Sequence, residues 1–328
     1  MSFSSGVKEE LYRHISPARH CQLAELAALL HFNGSIGVGT TGTFLQIHAE
    51  NALVVRKCFT LLQKTFNIST ETRVQQENQQ TGYFCRIDDP ELILRILQGI
   101  KFLDQTGSPT SGEESLQDGL RCPVSRLLIR NSCCQRAFLR GAFLAAGSMS
   151  NPGKGYHLEI VCSRPLQAQQ ILEILTEFEI EGRIVQRKKY YVVYIKEGAG
   201  ISDFLNVVEA HVALMEFENV RILKEMRNSI NRQVNCETAN IKKTVSAAAR
   251  QTEDIRYIHD TIGFGNLSEN LSQIAKLRLE NPDVSLKELG QMLEPPIGKS
   301  GVNHRLRKLS EIAQGLRLQG GKHDKEEH

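Results

Sequence analysis

Residues 26–36 read LAALLHFNGSI and residues 139–149 read LRGAFLAAGSM. Each stretch is an apolar run with helical spacing that ends at a glycine, followed by a serine and another apolar residue. At the same offset of about 113 residues, Leu45-Gln46-Ile47 meets Leu158-Glu159-Ile160, Leu53 meets Leu166, and Leu61-Leu62 meet Ile174-Leu175. Half of the chain is therefore read as a tandem duplication.

Within the first copy, Leu23, Leu26, Ala27 and Leu30 predict a helix over 21–32. Asn33-Gly34 ends it, and the glycine is expected to supply the left-handed backbone that helix C-termini often need. Residues 36–47 read as a hairpin, 51–66 as a helix, 71–76 and 82–87 as a second hairpin, and 90–103 as a closing helix begun by Pro90. The second copy repeats this order, with helices at 134–146 and 165–178 and strands on either side of the Arg187-Lys188-Lys189 turn. The expected organisation is an N-terminal helix and first repeat (1–103), a Gly, Ser, Thr and acid-rich flexible connection (104–120), and a second repeat (121–215). Linking helices broken near Asn231 and Asn235 (216–262), three short helices (263–318) and a disordered tail (319–328) follow.

Composition sets bounds on function. The 328 residues are 41% hydrophobic and 23% charged, values of an ordinary globular chain large enough to fold without disulfides or a structural metal. No segment approaches the roughly 20 uninterrupted apolar residues of a membrane span, and the N-terminus lacks a signal-peptide core, so a cytoplasmic location is expected. The eight cysteines contain no C-x-x-C pair. The adjacent Cys133 and Cys134 are poorly placed to hold one zinc ion between them, and all eight are read as reduced, mostly buried thiols. Neither a metal nor a cofactor is expected.

The net charge of +3 and isoelectric point near 8.4 are only mildly basic, so the distribution of charge matters more. Between residues 295 and 318, Lys299, Arg305, Arg307, Lys308 and Arg317 face a single acid, Glu311. Between residues 183 and 189, Arg183, Arg187, Lys188 and Lys189 face none. These are the two candidate phosphate-facing patches.

Ser285-Leu-Lys-Glu288 is a capping box opening a short helix with apolar Leu286, Leu289, Met292 and Leu293. Glu294-Pro-Pro-Ile-Gly-Lys299 breaks it, and Ser300 is positioned to cap the next helix. There Val302, Leu306, Leu309 and Ala313 share one stripe. The opposite face carries Ser300, His304, Arg307, Lys308 and Glu311, with Asn303 at its boundary and Arg305 on the other flank. Asn pairs with adenine and Arg with guanine in a major groove, and Lys299 sits where a phosphate would meet the helix start. The pattern reads as a helix-turn-helix, with an inter-helix turn of about seven residues where three or four are usual. Tyr190, Tyr191 and Tyr194 are assigned to sheet packing.

The repeats resemble the LAGLIDADG homing-endonuclease fold, in which two such helices pack side by side and the sheets form a saddle over DNA. In that family the residue before the helix-ending glycine is an acid that holds the cleavage metal. Here those positions are Asn33 and Ala146. Hard divalent cations need charged oxygen ligands, so the substitution argues against cleavage. Ala27, Ala28, Gly141, Ala142, Ala145 and Ala146 preserve the means for close helix approach, and Glu25 and Glu159 are assigned structural roles.

RNSCCQRAFLRGAFLAAGSMSNPGKGYHLEIV (130–161), EFENVRILKEMRNSINRQVNCETANIKKTV (216–245) and GKSGVNHRLRKL (298–309) resemble the WhiA family more closely still. The resemblance implies an α+β fold, a tandem-duplicated LAGLIDADG-like αββαββα domain followed by an all-α helix-turn-helix domain. It also implies a bacterial transcriptional regulator of sporulation, cell division or chromosome segregation, without catalytic activity and associated with the nucleoid. The expected partner is double-stranded DNA, with transcription machinery or a regulatory protein as a second class, and no membrane. The expected DNA contacts are Lys299, Ser300, Asn303, His304, Arg305, Arg307 and Lys308, with Arg187, Lys188 and Lys189 as a second surface. The alternatives are a metal-dependent nuclease or nickase, and a protein-interaction platform that controls a DNA reader.

Overall fold

A computed structural model describes residues 2–39, 42–68, 72–77, 80–108, 120 and 123–323. The chain divides into two compact units, Met1–Glu225 and Met226–His328.

The first unit contains the duplication. After α1 (Phe3–Arg13), one repeat runs α2 (Arg19–Asn33), β1 (Gly34–Gly39), β2 (Gly42–Ala49), α3 (Ala52–Phe66), β3 (Thr72–Glu77), β4 (Gln80–Ile87) and α4 (Pro90–Gly99). The other runs α5 (Ser132–Ala146), β5 (Gly147–Met149), β6 (Leu158–Cys162), α6 (Pro165–Glu177), β7 (Arg183–Arg187), β8 (Tyr190–Ile195) and α7 (Gly198–Val207). Each repeat forms an antiparallel four-stranded sheet, in the orders β1-β2-β4-β3 and β5-β6-β8-β7. Registers agree as well, since Gly34 pairs with Ile47 where Gly147 pairs with Ile160. Most of the expected 104–120 connection lies outside the described residues. Its first residues form a turn in which the Asp104 carboxylate accepts hydrogen bonds from the Thr106 and Ser108 amides at 2.8 and 2.9 Å.

Gly34, which ends α2, is not left-handed as expected, and Gly147 at the end of α5 shares its geometry. Gly34 (φ −85°, ψ 149°) and Gly147 (φ −83°, ψ 152°) are extended and already begin a strand. Their requirement is space: a Cβ would lie 2.5 Å from the Leu30 carbonyl oxygen at Gly34, and 2.3 Å from the Phe143 ring at Gly147.

Helices α2 and α5 cross through small residues. Ala24, Ala27, Ala28, Ala137 and Ala142 are wholly buried, and a Cβ on Gly141 would sit 2.7 Å from the Glu25 carbonyl oxygen and 2.9 Å from the Ala28 Cβ. Main chains this close exclude any larger side chain.

Buried charges fix the surroundings of this crossing. The Lys57 ammonium pairs with Glu25 at 3.0 Å and donates to the carbonyls of Leu11 (2.9 Å), Tyr12 (3.4 Å) and His14. Arg140 lies 3.4 Å from the Glu25 carboxylate, donates to the Val208 carbonyl at 3.3 Å and pairs with Glu209. Burial lowers the Lys57 pKa, and the charge of Glu25 opposes that fall. Separating either cation from Glu25 would strand a charge in the core, a loss of about 3–5 kcal/mol.

Helix α1 buries Phe3, Val7 and Leu11. The Glu10 carboxylate accepts hydrogen bonds from the Val212 and Ala213 amides at 2.8 and 2.9 Å, and so caps the start of α8 (His211–Ile262). This helix of 52 residues replaces the two helices expected over 216–262. No Gly or Pro occurs between 211 and 262, and Asn231 and Asn235 alone do not interrupt a helix. Gly263 (φ +72°) ends it, its amide donating to the Ile258 and His259 carbonyls.

In the second unit the last turns of α8, through Ile255 and Ile258, pack with α9 (Glu269–Glu280), α10 (Leu286–Gln291) and α11 (Lys299–His323). Helix α11 continues to His323, into the segment expected as a disordered tail. Residues 324–328 lie outside the described residues. Among the described residues no helix is long and apolar enough to cross a membrane.

Glu209 and His14 give the first unit a pH dependence. Burial alone would raise the Glu209 carboxyl, but Arg140 overrides it, helped by His14 and Arg136, and holds it below its usual range. Burial and Arg140 lower the His14 pKa against the opposing pull of Glu209. Both groups bind protons less readily folded than unfolded, so their contribution is complete near neutrality and lost on acidification. The melting temperature should fall from about pH 7 to about pH 4, through the histidine and then the carboxylate range. Scanning calorimetry of Glu209→Gln should show a lower melting temperature at neutral pH and a flatter acid limb.

Candidate nucleic-acid interface

Helix α10 is short and well started. The Ser285 hydroxyl accepts from the Glu288 amide at 3.4 Å, and the Glu288 carboxylate accepts from the Ser285 amide at 3.1 Å. Hydrogen bonding from the Ser285 side chain and amide holds the Glu288 carboxyl below its ordinary range. Leu289 and Leu293 are buried, whereas Met292, expected on the apolar side, is exposed. The seven-residue turn to α11 folds back tightly, because the Ile297 amide donates to the Gly290 carbonyl at 3.0 Å. A Cβ on Gly290 would lie 2.2 Å from the Ile297 carbonyl oxygen and 3.1 Å from Val302 Cγ2. Only glycine allows this approach.

Val302, Leu306, Leu309 and Ala313 form the buried stripe of α11, as their spacing predicts. Lys299, Ser300, Asn303, His304, Arg307 and Lys308 are all exposed. Helix α11 already begins at Lys299, so Ser300 lies in its first turn and is not its cap. Arg305 is half-buried on the flank. Arg307 pairs with Glu311 at 3.1 Å on the helix surface, both side chains more than half exposed. Such a pair is worth little in water and yields readily to a stronger anion.

Arg317 leaves the basic face altogether. It pairs with the buried Asp254 at 2.7 Å and covers the Tyr257 ring, tying α11 to the end of α8. Two bases not singled out in the sequence join the surface instead. Lys243 and Lys287 line an open concavity of about 530 Å³ with Lys299 and Asn303. Lys287 lies within the capping box and Lys243 more than 40 residues away, so their convergence depends on how α8 packs. Arg278 holds one wall, donating to the Val284 carbonyl at 2.7 Å and to Gln251 at 3.2 Å.

The second surface is more compromised. Arg187 donates to the Glu159 carboxylate at 2.9 Å, which also meets His157 and Ser148. Burial would raise the Glu159 pKa, but these partners hold it below the usual range. Lys188 and Lys189 are exposed at the hairpin tip, Lys188 in the left-handed region at φ 54° and Lys189 over the Tyr190 ring. Among the described residues neither lysine has an acidic partner. Tyr191 and Tyr194 are half-buried in the sheet, whereas Tyr190 is exposed.

At the strand ends of α2 and α5, Asn33 donates to the His48 carbonyl at 3.1 Å. Lys8, Asn33, His48 and Glu50 line an open concavity of about 460 Å³ there, together with Ala145. Its ionisable residues include one carboxylate and one ammonium, a weak set for a hard divalent cation.

Three family models cover most of the chain: the WhiA N-terminal LAGLIDADG-like domain (residues 19–102), the WhiA LAGLIDADG-like domain (135–227) and the WhiA C-terminal HTH domain (230–313). A relative from Lachnoclostridium phytofermentans described as a probable cell division protein WhiA is 54% identical, over 97% of this chain and all of that one. The chain belongs to the WhiA family. A second WhiA relative, from Alkaliphilus oremlandii, is 46% identical over 98% of this chain and 99% of its own. The crystal structure of a full-length DUF199/WhiA protein from Thermatoga maritima matches with a TM-score of 0.57 at 24% identity, over 96% of this chain and 98% of that one. The expected α+β architecture of the WhiA family, a duplicated LAGLIDADG-like half with a C-terminal helix-turn-helix, is the one observed.

Gly290→Ala should destabilise the helix-turn-helix by about 1–3 kcal/mol, since main chain and not a flexible side chain must yield. Chemical denaturation should show the loss in the second unit's transition. An unchanged midpoint would refute the packing described for this turn.

Proposed function

We propose that this protein is a sequence-specific DNA-binding transcriptional regulator in which α11 enters the major groove. The observation that carries this reading is the exposed face formed by Lys299, Ser300, Asn303, His304, Arg307 and Lys308, opposite the fully buried stripe of the same helix. In the proposed roles, Asn303 and Arg307 read base edges, His304 and Arg305 flank them, and Lys299, Ser300 and Lys308 meet phosphates with Lys243 and Lys287. Glu311 keeps Arg307 extended until a guanine edge replaces it. Lys188 and Lys189 form a secondary phosphate contact, with Arg187 largely neutralised by Glu159. The names of the relatives support a role in regulating cell division, and the nucleoid is the corresponding location.

Arg307→Ala should weaken binding to the specific site by about 1–3 kcal/mol if the residue reads a base, and lower the salt slope by about one if it meets phosphate. Fluorescence anisotropy across a salt series distinguishes these outcomes. Unchanged affinity and slope would remove Arg307 from the interface.

The endonuclease-like half is proposed to be catalytically silent, because Asn33 and Ala146 stand where the family resemblance places the metal-holding acids, and Lys8 lines the concavity beside Asn33. Highly purified protein incubated at length with supercoiled plasmid and Mg²⁺ or Mn²⁺ should leave the plasmid intact. Sustained nicking that follows the protein through purification would overturn this part.

A further inference from the structure

We propose that His20, Cys21, Cys133 and Cys134 form a zinc site that clamps the N-terminal ends of α2 and α5 together. The His20 ring nitrogen and the three Cys sulfurs all lie within 4.8 Å of one another. From His20 Nδ1 the sulfurs of Cys134, Cys21 and Cys133 stand at 3.1, 3.3 and 4.0 Å. A tetrahedral ion with ordinary Zn–S and Zn–N bonds sets its nitrogen and sulfur ligands roughly 3.5 Å apart, a value these distances bracket.

Taken alone, Cys133-Cys134 supplies half a ligand set. The duplication supplies the rest, because the offset that aligns the two repeats places His20-Cys21 opposite Cys133-Cys134. Each pair occupies the second and third positions of its helix, and the crossing of α2 and α5 brings the pairs together. Neither helix has a side-chain cap: Ala18 cannot provide one, and Asn131 makes no capping bond. Burial pushes the Cys21 thiol up and the Cys134 thiol up to about 12 in the metal-free protein, so it is the charge of a bound cation that would bring them to thiolates. Cys21 and Cys134 are buried, while His20 and Cys133 are exposed and give the ion a path in from solvent. Three sulfurs and one imidazole are a soft set suited to Zn²⁺ and ill suited to Mg²⁺. Four protein ligands fill the tetrahedron, which makes the site structural.

Loading follows a balanced exchange. Zn²⁺ displaces one proton from each of the three thiols, takes the lone pair of the neutral imidazole, and releases three protons to the buffer, leaving a complex of net charge −1.

The test is a titration of the reduced, metal-free full-length protein with Co²⁺. One equivalent per chain should produce the intense visible bands of a tetrahedral ion and a sulfur-to-cobalt charge-transfer band, and Zn²⁺ should bleach both. Cys133→Ser, which removes an exposed ligand, should keep its circular dichroism spectrum and lose affinity by at least about 100-fold. His20→Ala should shift the visible bands, and Cys236→Ser should change nothing. Zinc should raise the melting temperature of the wild type and not that of Cys133→Ser. Failure of Co²⁺ to give a charge-transfer band, an octahedral spectrum, or a signal that survives Cys133→Ser would each overturn the site.

Discussion

The crossing of α2 and α5 is the constraint from which the first unit follows. With no side chain at Gly141, the two main chains approach until Glu25 and Ala28 fill the space. This contact holds the repeats in a fixed relation, aligns the strands that leave Gly34 and Gly147, and places Arg140 within reach of Glu25. The buried cations then leave little room for adjustment. Lys57 and Arg140 share a single buried carboxylate, and each also donates to carbonyls at the ends of neighbouring helices.

Much of this was legible in the sequence because duplication and periodicity are local or repeating signals. The two LAGLIDADG-like repeats, the capping box at Ser285 and the apolar stripe of α11 all stand in the order in which the residues predict them. The errors arose where a residue's meaning depends on distant packing. Gly34 looks like a left-handed cap but, like Gly147, is a steric spacer. Asn231 and Asn235 look like breaks, yet nothing between 211 and 262 forces the helix to stop. Arg317 is basic by composition and a clamp by position, since Asp254 lies 63 residues earlier. Lys243 and Lys287 were missed because no sequence spacing links them to α11.

The two ends of the same helix pair have had different histories. At the strand ends, Asn33 and Ala146 stand where the resemblance places acids. At the opposite ends, each repeat presents two adjacent donors with nitrogen or sulfur ligands. Duplication makes this economical, because a pair of residues that cannot complete a coordination sphere within one repeat meets its counterpart from the other at the starts of α2 and α5.

Helix α1 carries a consequence for the birth of the molecule on the ribosome. Phe3 lies tilted against Phe217 with ring centroids 6.2 Å apart, and Glu10 binds amides more than 200 residues later in the chain. The ring partner of Phe3 and the amide partners of Glu10 are therefore synthesised roughly 200 residues after this helix. At ordinary elongation rates this wait is on the order of tens of seconds. During that interval Lys57 can already hold the end of α1 through the Leu11 and Tyr12 carbonyls, whereas a nascent chain halted before residue 212 leaves Phe3 and Glu10 without these partners.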